Sequence, residues 1–384
     1  MEIRDLTVDD LDAALDNRRR AFGIPYGLGK GEWRERVIPS LPQGRYLGVF
    51  DGGRMAAAGR IRDFTQWWHG RPVRMGGIAS VTVAPEDRGR GVGRLLMRSL
   101  VERCADLGHP VSALFPATTP IYRAMGWEHA GVQQVVTLSA ERLRTISVPD
   151  QVKLRRLGPD DAPEVIAVLG RVYAAARSSG PYAADEQFLR HVLADQDAFL
   201  YGADDGYAVY RWDGGRITVD NLVAGSEATA RALWSMVGTS SSVSAEVRAA
   251  VAPDDPVFWL LRELSDLEVQ QGRWMLRVID VAAALSGRGF PPGIALDTVL
   301  EVADPVLPAN SGRWRLRLAD GAATAERVES GAGHRLTVNG LSALYAGVPL
   351  GTLRRAGLVS GGDETGDASL EAAFRATPYM LNSF

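Results

Sequence analysis

"SVTVAPEDRGRGVGRLLMRSL", residues 80–100, decides the reading of this chain. It begins as a short alternating apolar strand, with Val81 and Val83 around Thr82. It then passes through a proline, charges and glycines, and continues as a helix expected over about 91–107. On that helix Val92, Leu95, Leu96, Cys104 and Leu107 fall near one face at helical spacing, and Gly108 supplies the stop. A glycine-rich turn that opens a helix exposes N–H groups with no partner inside the helix. Those donors and the positive helix end suit an anion. Gly91 and Gly93 let a bulky phosphate approach the backbone where a Cβ would clash. Arg88, Arg90 and Arg94 add paired N–H donors that bind phosphate. A single phosphate needs less than this, so a pyrophosphate is the expected ligand.

The order strand, turn, helix narrows the reading. Arg88-x-x-Gly91-x-Gly93, directly after Val81-Thr82-Val83, resembles the acyl-CoA signature of the GNAT superfamily. That resemblance implies acetyl-CoA as the acyl donor, held on a strand that splays from its neighbour. By it, Val81, Thr82 and Val83 line the thioester, while Arg88, Gly89, Arg90, Gly91, Val92, Gly93 and Arg94 hold the pyrophosphate. It also assigns Ala117 and Thr118 to the cofactor site. A dinucleotide-binding reading lacks G-x-G-x-x-G and an acidic residue about 20 positions on, since Glu102 and Asp106 come too early. A P-loop lacks its Gly-Lys-Ser/Thr.

The bulk properties fit a globular chain of two or three domains. At 384 residues the chain exceeds one ordinary core. It is 46% hydrophobic and 23% charged, with a formal net charge of −3. That balance disfavours nucleic acid as a partner. No apolar run is long enough for a membrane span, and the acidic, strand-like start is unlike a signal peptide. Cys104 is the only cysteine, so an intrachain disulfide is excluded, and a cytoplasmic location is expected.

Two stretches repeat at a constant offset of 151: "IRDLTVDDLDAALDNRRRAF" from Ile3 and "LRRLGPDDAPEVIAVLGRVY" from Leu154. Each carries an Asp pair, Asp9 and Asp10 or Asp160 and Asp161, read as helix-start residues. The repeat predicts a duplicated domain. "VSALFPATTPIYRAMGW" and "RVIDVAAALSGRGF" resemble segments of the enhanced intracellular survival (Eis) acetyltransferases, and so does the whole layout. The fold class expected is therefore α/β (α+β): two tandem GNAT-like domains with mixed sheets, then a sterol-carrier-protein-like α+β domain. The boundaries expected are 1–150, 151–285 and 286–384. The second copy has Gly225 but no Arg-x-x-Gly-x-Gly, so one cofactor site per chain is predicted.

Acyl transfer from a thioester to an amine needs a base for the ammonium proton and an acid for the departing thiolate. By likeness to Eis, Tyr122 is the acid and the free α-carboxylate of the C-terminal Phe384 is the base. Read without the family, Tyr122 is equally a packed helix tyrosine, and a terminus is usually frayed. His69, His109, His129, His191 and His334 form no triad or metal pattern, and no metal is expected. Substrate contacts are expected from residues 22–37, with Tyr26 and Trp33 stacking and Glu32 supplying charge; Trp67 and Trp68 add to the aromatic set. The resemblance implies a small-molecule amine acceptor of aminoglycoside or polyamine type, acetylated at several amines, and a homohexamer. Asn382 and Ser383 precede Phe384 where the family has an acidic neighbour, which weighs against aminoglycosides. A protein lysine or N-terminal acetyltransferase, and a CoA- or lipid-binding regulator without turnover, remain the alternatives.

Overall fold

The structure, a computed structural model, describes residues 1–23, 30–148, 152–264 and 267–384. The first unit runs β1 (Glu2–Asp5), α1 (Leu11–Phe22), α2 (Lys30–Val37), β2 (Tyr46–Asp51), β3 (Arg54–Trp68), β4 (Arg71–Val83), α3 (Val92–Asp106), β5 (Val111–Leu114), α4 (Pro120–Arg123), β6 (Glu128–Ser139) and α5 (Ala140–Arg144). β3 and β4 form a long hairpin closed by His69 and Gly70, both at positive φ (46° and 81°). That is the turn whose twist matches paired strands. α3 buries Val92, Leu96, Met97, Leu100, Val101 and Cys104 on one stripe against Ile61 and Ile78 of the hairpin.

The second unit repeats the plan with β7 (Arg155–Arg156), α6 (Ala162–Ala175), β8 (Tyr182–Ala184), α7 (Glu186–Leu193), β9 (Ala198–Ala203), β10 (Gly206–Asp213), β11 (Arg216–Ala224), α8 (Glu227–Gly238), β12 (Glu246–Val251), α9 (Val257–Leu260) and β13 (Glu268–Val278). The offset of 151 survives at atomic detail. Arg4 pairs with Asp10 at 2.7 Å and Asp10 accepts the Thr7 N–H at 2.8 Å; Arg155 pairs with Asp161 at 2.8 Å and Asp161 accepts the Gly158 N–H at 2.7 Å. Asp10 and Asp161 are thus engaged in capping a first turn, as their positions predicted.

The third unit comprises α10 (Val281–Gly287), β14 (Leu296–Ala303), β15 (Gly312–Ala319), β16 (Ala322–Val328), β17 (His334–Thr337), α11 (Val338–Tyr345), α12 (Leu350–Arg355), β18 (Val359–Gly361) and α13 (Glu364–Phe374). Gly347, at φ 87°, and Pro349 separate α11 from α12. The third unit has its own sheet, ordered β16-β15-β14-β17-β18. Its apolar face packs with Trp68, Met75, Trp274 and Leu276 into one core shared with the first unit.

The first two units do not keep separate sheets. One sheet runs β1-β2-β3-β4-β5-β13-β6-β12-β11-β10-β9-β7, with β8 beside β3. β13, the last strand of the second copy, lies between β5 and β6 of the first and pairs with both. β6 in turn pairs with β12. This interlock is the main feature that the sequence pattern did not reveal.

Candidate active site

β4 and β5 are parallel and pair only over Met75↔Val111, Gly76↔Ser112 and Gly77↔Ala113. Beyond Gly77 the edge of β4 that faces β5 has no strand partner, so the sheet opens into a wedge. A bulge in β4 marks the place: the register against β3 shifts between Ala79 and Thr82, and Ser80 sits at φ 53°. A bulge bends its strand and re-aims the residues after it. Val81, Thr82 and Val83 follow, still held by β3 on the other side through Thr82↔Ala58 and Val83↔Ala57. Ala117 and Thr118 lie in the turn that follows β5, on the wedge's opposite arm.

The glycine turn stands at the wide end. Gly89 and Gly91 have φ 79° and 80°, conformations that glycine adopts without strain, and a Cβ on either would meet nothing within 4 Å. The space above them is therefore open. Gly91 is the N-cap of α3 and supplies no side-chain cap, so the first N–H groups of α3 are left for an external anion. Gly93 acts differently: a Cβ there would lie 3.1 Å from Ile121 Cδ1 and 3.4 Å from Val83 Cγ2, so its absence lets α3 pack closely on both. A groove of about 420 Å³ runs over this turn, lined by Val83, Arg88, Gly89, Gly91, Arg94 and Ile121. Arg88 and Arg94 are exposed, and their side chains make no hydrogen bond or ion pair among the described residues. Arg90 departs from the expectation: it pairs with Asp87 at 2.5 Å and Asp51 at 3.0 Å, and so braces the turn. The uncapped helix end, the open glycines and two unpaired guanidinium groups fit a pyrophosphate.

Tyr122 lies on α4 and packs in the same cluster as Val81 and Val83. It is 7% exposed, and burial pushes its phenol above the ordinary range, which keeps the proton on at neutral pH. Its hydroxyl makes no hydrogen bond among the described residues, while its ring meets Trp127 edge-on at 6.5 Å.

The chain end enters this wedge from the other side. The Phe384 ring packs against Phe64 (4.8 Å), Tyr182 (5.3 Å) and Phe115 (5.6 Å). A Cβ on Gly77 would lie 2.8 Å from Phe384 Cε2, so the terminal ring sits on the last paired residue before the strands part. The tail is built in. Val132 donates to the Pro378 carbonyl (3.1 Å), Met380 to Val132 (3.0 Å) and Tyr379 to Ser179 (3.1 Å), and the Gln133 side chain donates to Leu381 (3.0 Å). Gly180, at φ 96°, leaves room that a Cβ would fill 2.6 Å from the Tyr379 carbonyl. Upstream, the fully buried Arg288 donates to the carbonyls of Tyr345, Gly289 and Phe374, which ties the end of α13 to the core.

The second copy retains the wedge without the phosphate turn. β11 and β12 are parallel over Ile217–Val219 and then part, leaving a cavity of about 340 Å³ lined by Leu222, Ala224 and Trp234. Here α8 is capped from within, Ser226 Oγ accepting the Thr229 N–H at 3.3 Å. Tyr379 and Leu381 of the tail line the cavity.

Among the expected substrate contacts, Tyr26 lies outside the described residues. Trp33 is a core residue packed with Leu11, Leu15 and Tyr46, and Glu32 is exposed and paired with Arg36 at 2.8 Å. Trp67 and Trp68 are also buried, Trp67 against Tyr173 and Trp68 against Tyr345. Packing, not stacking on a ligand, accounts for these three indoles. A cleft that the sequence reading missed lies on the Phe64 face of β3, lined by Arg36, Arg45, Arg60 and Arg62. The alternation Arg60-x-Arg62-x-Phe64, which sets two arginines on one face of a mostly buried strand, was its available signal.

Residues 2–130 match an acetyltransferase (GNAT) domain family, residues 175–278 another acetyltransferase (GNAT) domain family, and residues 281–381 the sterol carrier protein domain family. An uncharacterized N-acetyltransferase of Streptomyces coelicolor is 30% identical, with 94% of this chain and 93% of that protein aligned. The chain belongs to the GNAT N-acetyltransferases. Among them this acetyltransferase is of the Eis type: N-acetyltransferase Eis of Mycobacterium tuberculosis is 29% identical over 80% of each chain. A crystal structure of a GCN5-related N-acetyltransferase from Kribbella flavida superposes on this acetyltransferase with a TM-score of 0.96, at 45% identity, over 100% of this chain and 98% of that one.

Proposed function

We propose that this acetyltransferase moves an acetyl group from acetyl-CoA to the amine of a small acceptor, directly, in the wedge between β4 and β5. The thioester supplies the acetyl group; an N–C bond forms and the C–S bond breaks. The open edge of Val81–Val83 offers backbone donors to the carbonyl and the pantetheine arm, and the 88–94 turn offers an anion site to the pyrophosphate. Tyr122 gives its proton to the leaving sulfur, a role for which a protonated phenol without another partner is suited. The Phe384 α-carboxylate takes the proton that the amine loses, directly or through one water. The boundaries 1–150, 151–285 and 286–384 belong to this reading as functional divisions, the last supplying the base. So do one CoA per chain and a homohexamer, which light scattering reads out. The aminoglycoside or polyamine range rests on family resemblance alone.

The observation that carries the proposal is the seat of Phe384 on Gly77. A frayed terminus would need no ring cage and no glycine to admit its tail. The test is to extend the chain past Phe384, or to delete that residue. Extension turns the carboxylate into an amide; deletion pulls it back by about 3.3–3.6 Å. Acetyl transfer should fall by about 10²-fold or more in both, with acetyl-CoA affinity and melting temperature close to those of the parent protein. A C-terminally extended protein of full activity refutes the assignment of the base.

A further inference from the structure

The arginine cleft adjoins the proposed centre. Arg60, Arg62 and Phe64 alternate along β3 and so share one face, opposite Ile61, which faces the α3 core. Arg62 lies across from Gly77, and Phe64 touches both the Arg62 guanidinium (4.9 Å) and the Phe384 ring (4.8 Å). α2 and α7 supply the cleft's other walls, through Glu35, Arg36, Asp185 and Phe188. The space is about 50 Å³, room for a few waters or one small charged group.

Its charges are poorly paired. Arg62 is stacked between the rings of Phe64 and Phe188 (4.1 Å) and makes no hydrogen bond or ion pair among the described residues. Arg60 donates only from Nη2, to the Arg36 carbonyl at 3.1 Å, and its Nε is buried without a partner. The Arg36 Nε is likewise buried and unpartnered. Glu32 pairs with Arg36 at 2.8 Å and the Asp185 charge favours the Arg60 and Arg62 cations, but no acid forms an ion pair with Arg60 or Arg62 among the described residues. Asp63 holds His109 at 3.0 Å and Arg74 at 3.3 Å, Asp185 caps α7 by accepting the Phe188 N–H at 2.8 Å, and Glu35 is exposed. Burial, with Arg62 and Arg45 nearby, pulls Arg60 down to about 10. Half-buried guanidinium groups with buried, unpartnered Nε donors are a costly arrangement unless an anion completes them.

We propose that the acceptor is an amine that also bears an anionic group, a carboxylate or a phosphate, which Arg60 and Arg62 hold while the amine points past Phe64 toward Phe384. The guanidinium fork matches either group bidentately. The same two charges repel a polycation, so the cleft selects against aminoglycosides and polyamines. The inference rests on the acetyl-transfer reading for its geometry.

Its test is a binding measurement, independent of turnover. The full-length protein, saturated with CoA, is titrated calorimetrically with aminohexanoate, aminohexyl phosphate and diaminohexane. The anionic amines should bind at least about tenfold more tightly than the diamine, the scale of one charged hydrogen bond. The tighter of the two names the anionic group. Arg62→Met and Arg60→Met, which keep much of the apolar stem, should each bring that ratio close to one. Arg62→Lys, kept in case the methionine variants fail to fold, should retain part of it. A diamine that binds as well as the anions, a preference that survives the substitutions, or no binding by any probe overturns the inference. Absence of acetyl transfer to any amine, with the anion preference intact, instead overturns the catalytic reading and leaves the anion site standing.

Discussion

Gly77→Ala tests the site at its narrowest point. The added Cβ would lie 2.5 and 2.7 Å from Phe64 Cε2 and Cδ2, and 2.8 Å from Phe384 Cε2. Carbon atoms pack comfortably at about 3.5–4.0 Å, so the rings must retreat by roughly 0.7–1.5 Å. Phe64 is 3% exposed and held within the large core. Phe384 meets the added Cβ directly and also leans on Phe64 at 4.8 Å, so it is displaced by both contacts and its carboxylate moves with it. A displacement of about 1 Å costs up to about 10²-fold in a positioned reaction. Overpacking adds about 1–3 kcal/mol of destabilisation, which melting curves report separately. The assay is thiol release at saturating acetyl-CoA, beside calorimetric binding of acetyl-CoA. We expect kcat to fall by about 30–100-fold while binding hardly changes, because the phosphate turn is untouched. Adding Phe384→Leu, which keeps the carboxylate and makes room, should recover part of the loss, and the non-additivity measures the contact. A Gly77→Ala protein that folds, binds acetyl-CoA normally and turns over at the parent rate refutes the argument that the terminal ring positions the base.

Two further outcomes follow from the same geometry. Tyr122→Phe keeps the ring in its cluster and removes the proton, so kcat should drop by about 10²–10⁴-fold with acetyl-CoA affinity held; parent-level turnover returns Tyr122 to packing. Calorimetry should give one CoA per chain, lost in Gly91→Glu, which sets a carboxylate in the open space above the turn; two equivalents of similar affinity would contradict the self-capped α8 as the reason for a silent second copy.

The glycine turn at the start of α3 was legible because its signal is local. Glycines at positive φ, a helix start without a capping side chain and flanking arginines all sit within residues 88–94. The duplication was legible for a related reason: Arg4, Thr7 and Asp10 recur as Arg155, Gly158 and Asp161 because each set builds one capped turn. Long-range features left fainter marks. Nothing in "EVQQGRWMLRV" announces that β13 will separate β5 from β6, since only its second half, Trp274–Val278, is buried on both faces, and such a run reads alike in any sheet. Arg90 and Trp33 show the converse limit. Residue type and position suited a ligand, but Asp51 and Asp87 claim the one and the α1 core claims the other. Apart from Asp87, those partners are distant in sequence from the motif that drew attention.

The second copy, having no phosphate turn, still has a role in this arrangement. The tail passes both wedges in turn. Tyr379 and Leu381 line the cavity where β11 and β12 part, and Phe384, three residues on, reaches the point where β4 and β5 part. An extended peptide spans about 3.3–3.6 Å per residue, so three residues suffice to step from one wedge to the other only because β6, β12 and β13 fuse the two copies into one sheet. Separate domains on a flexible linker would let that distance vary, and a base must be held to within a few tenths of an ångström to share a hydrogen bond. The empty wedge of the second copy therefore serves as the anchorage of the segment that ends in the first. It explains why Gly180, in the second copy, and Gly131, in the first, both lack the side chain that would block the same stretch of backbone.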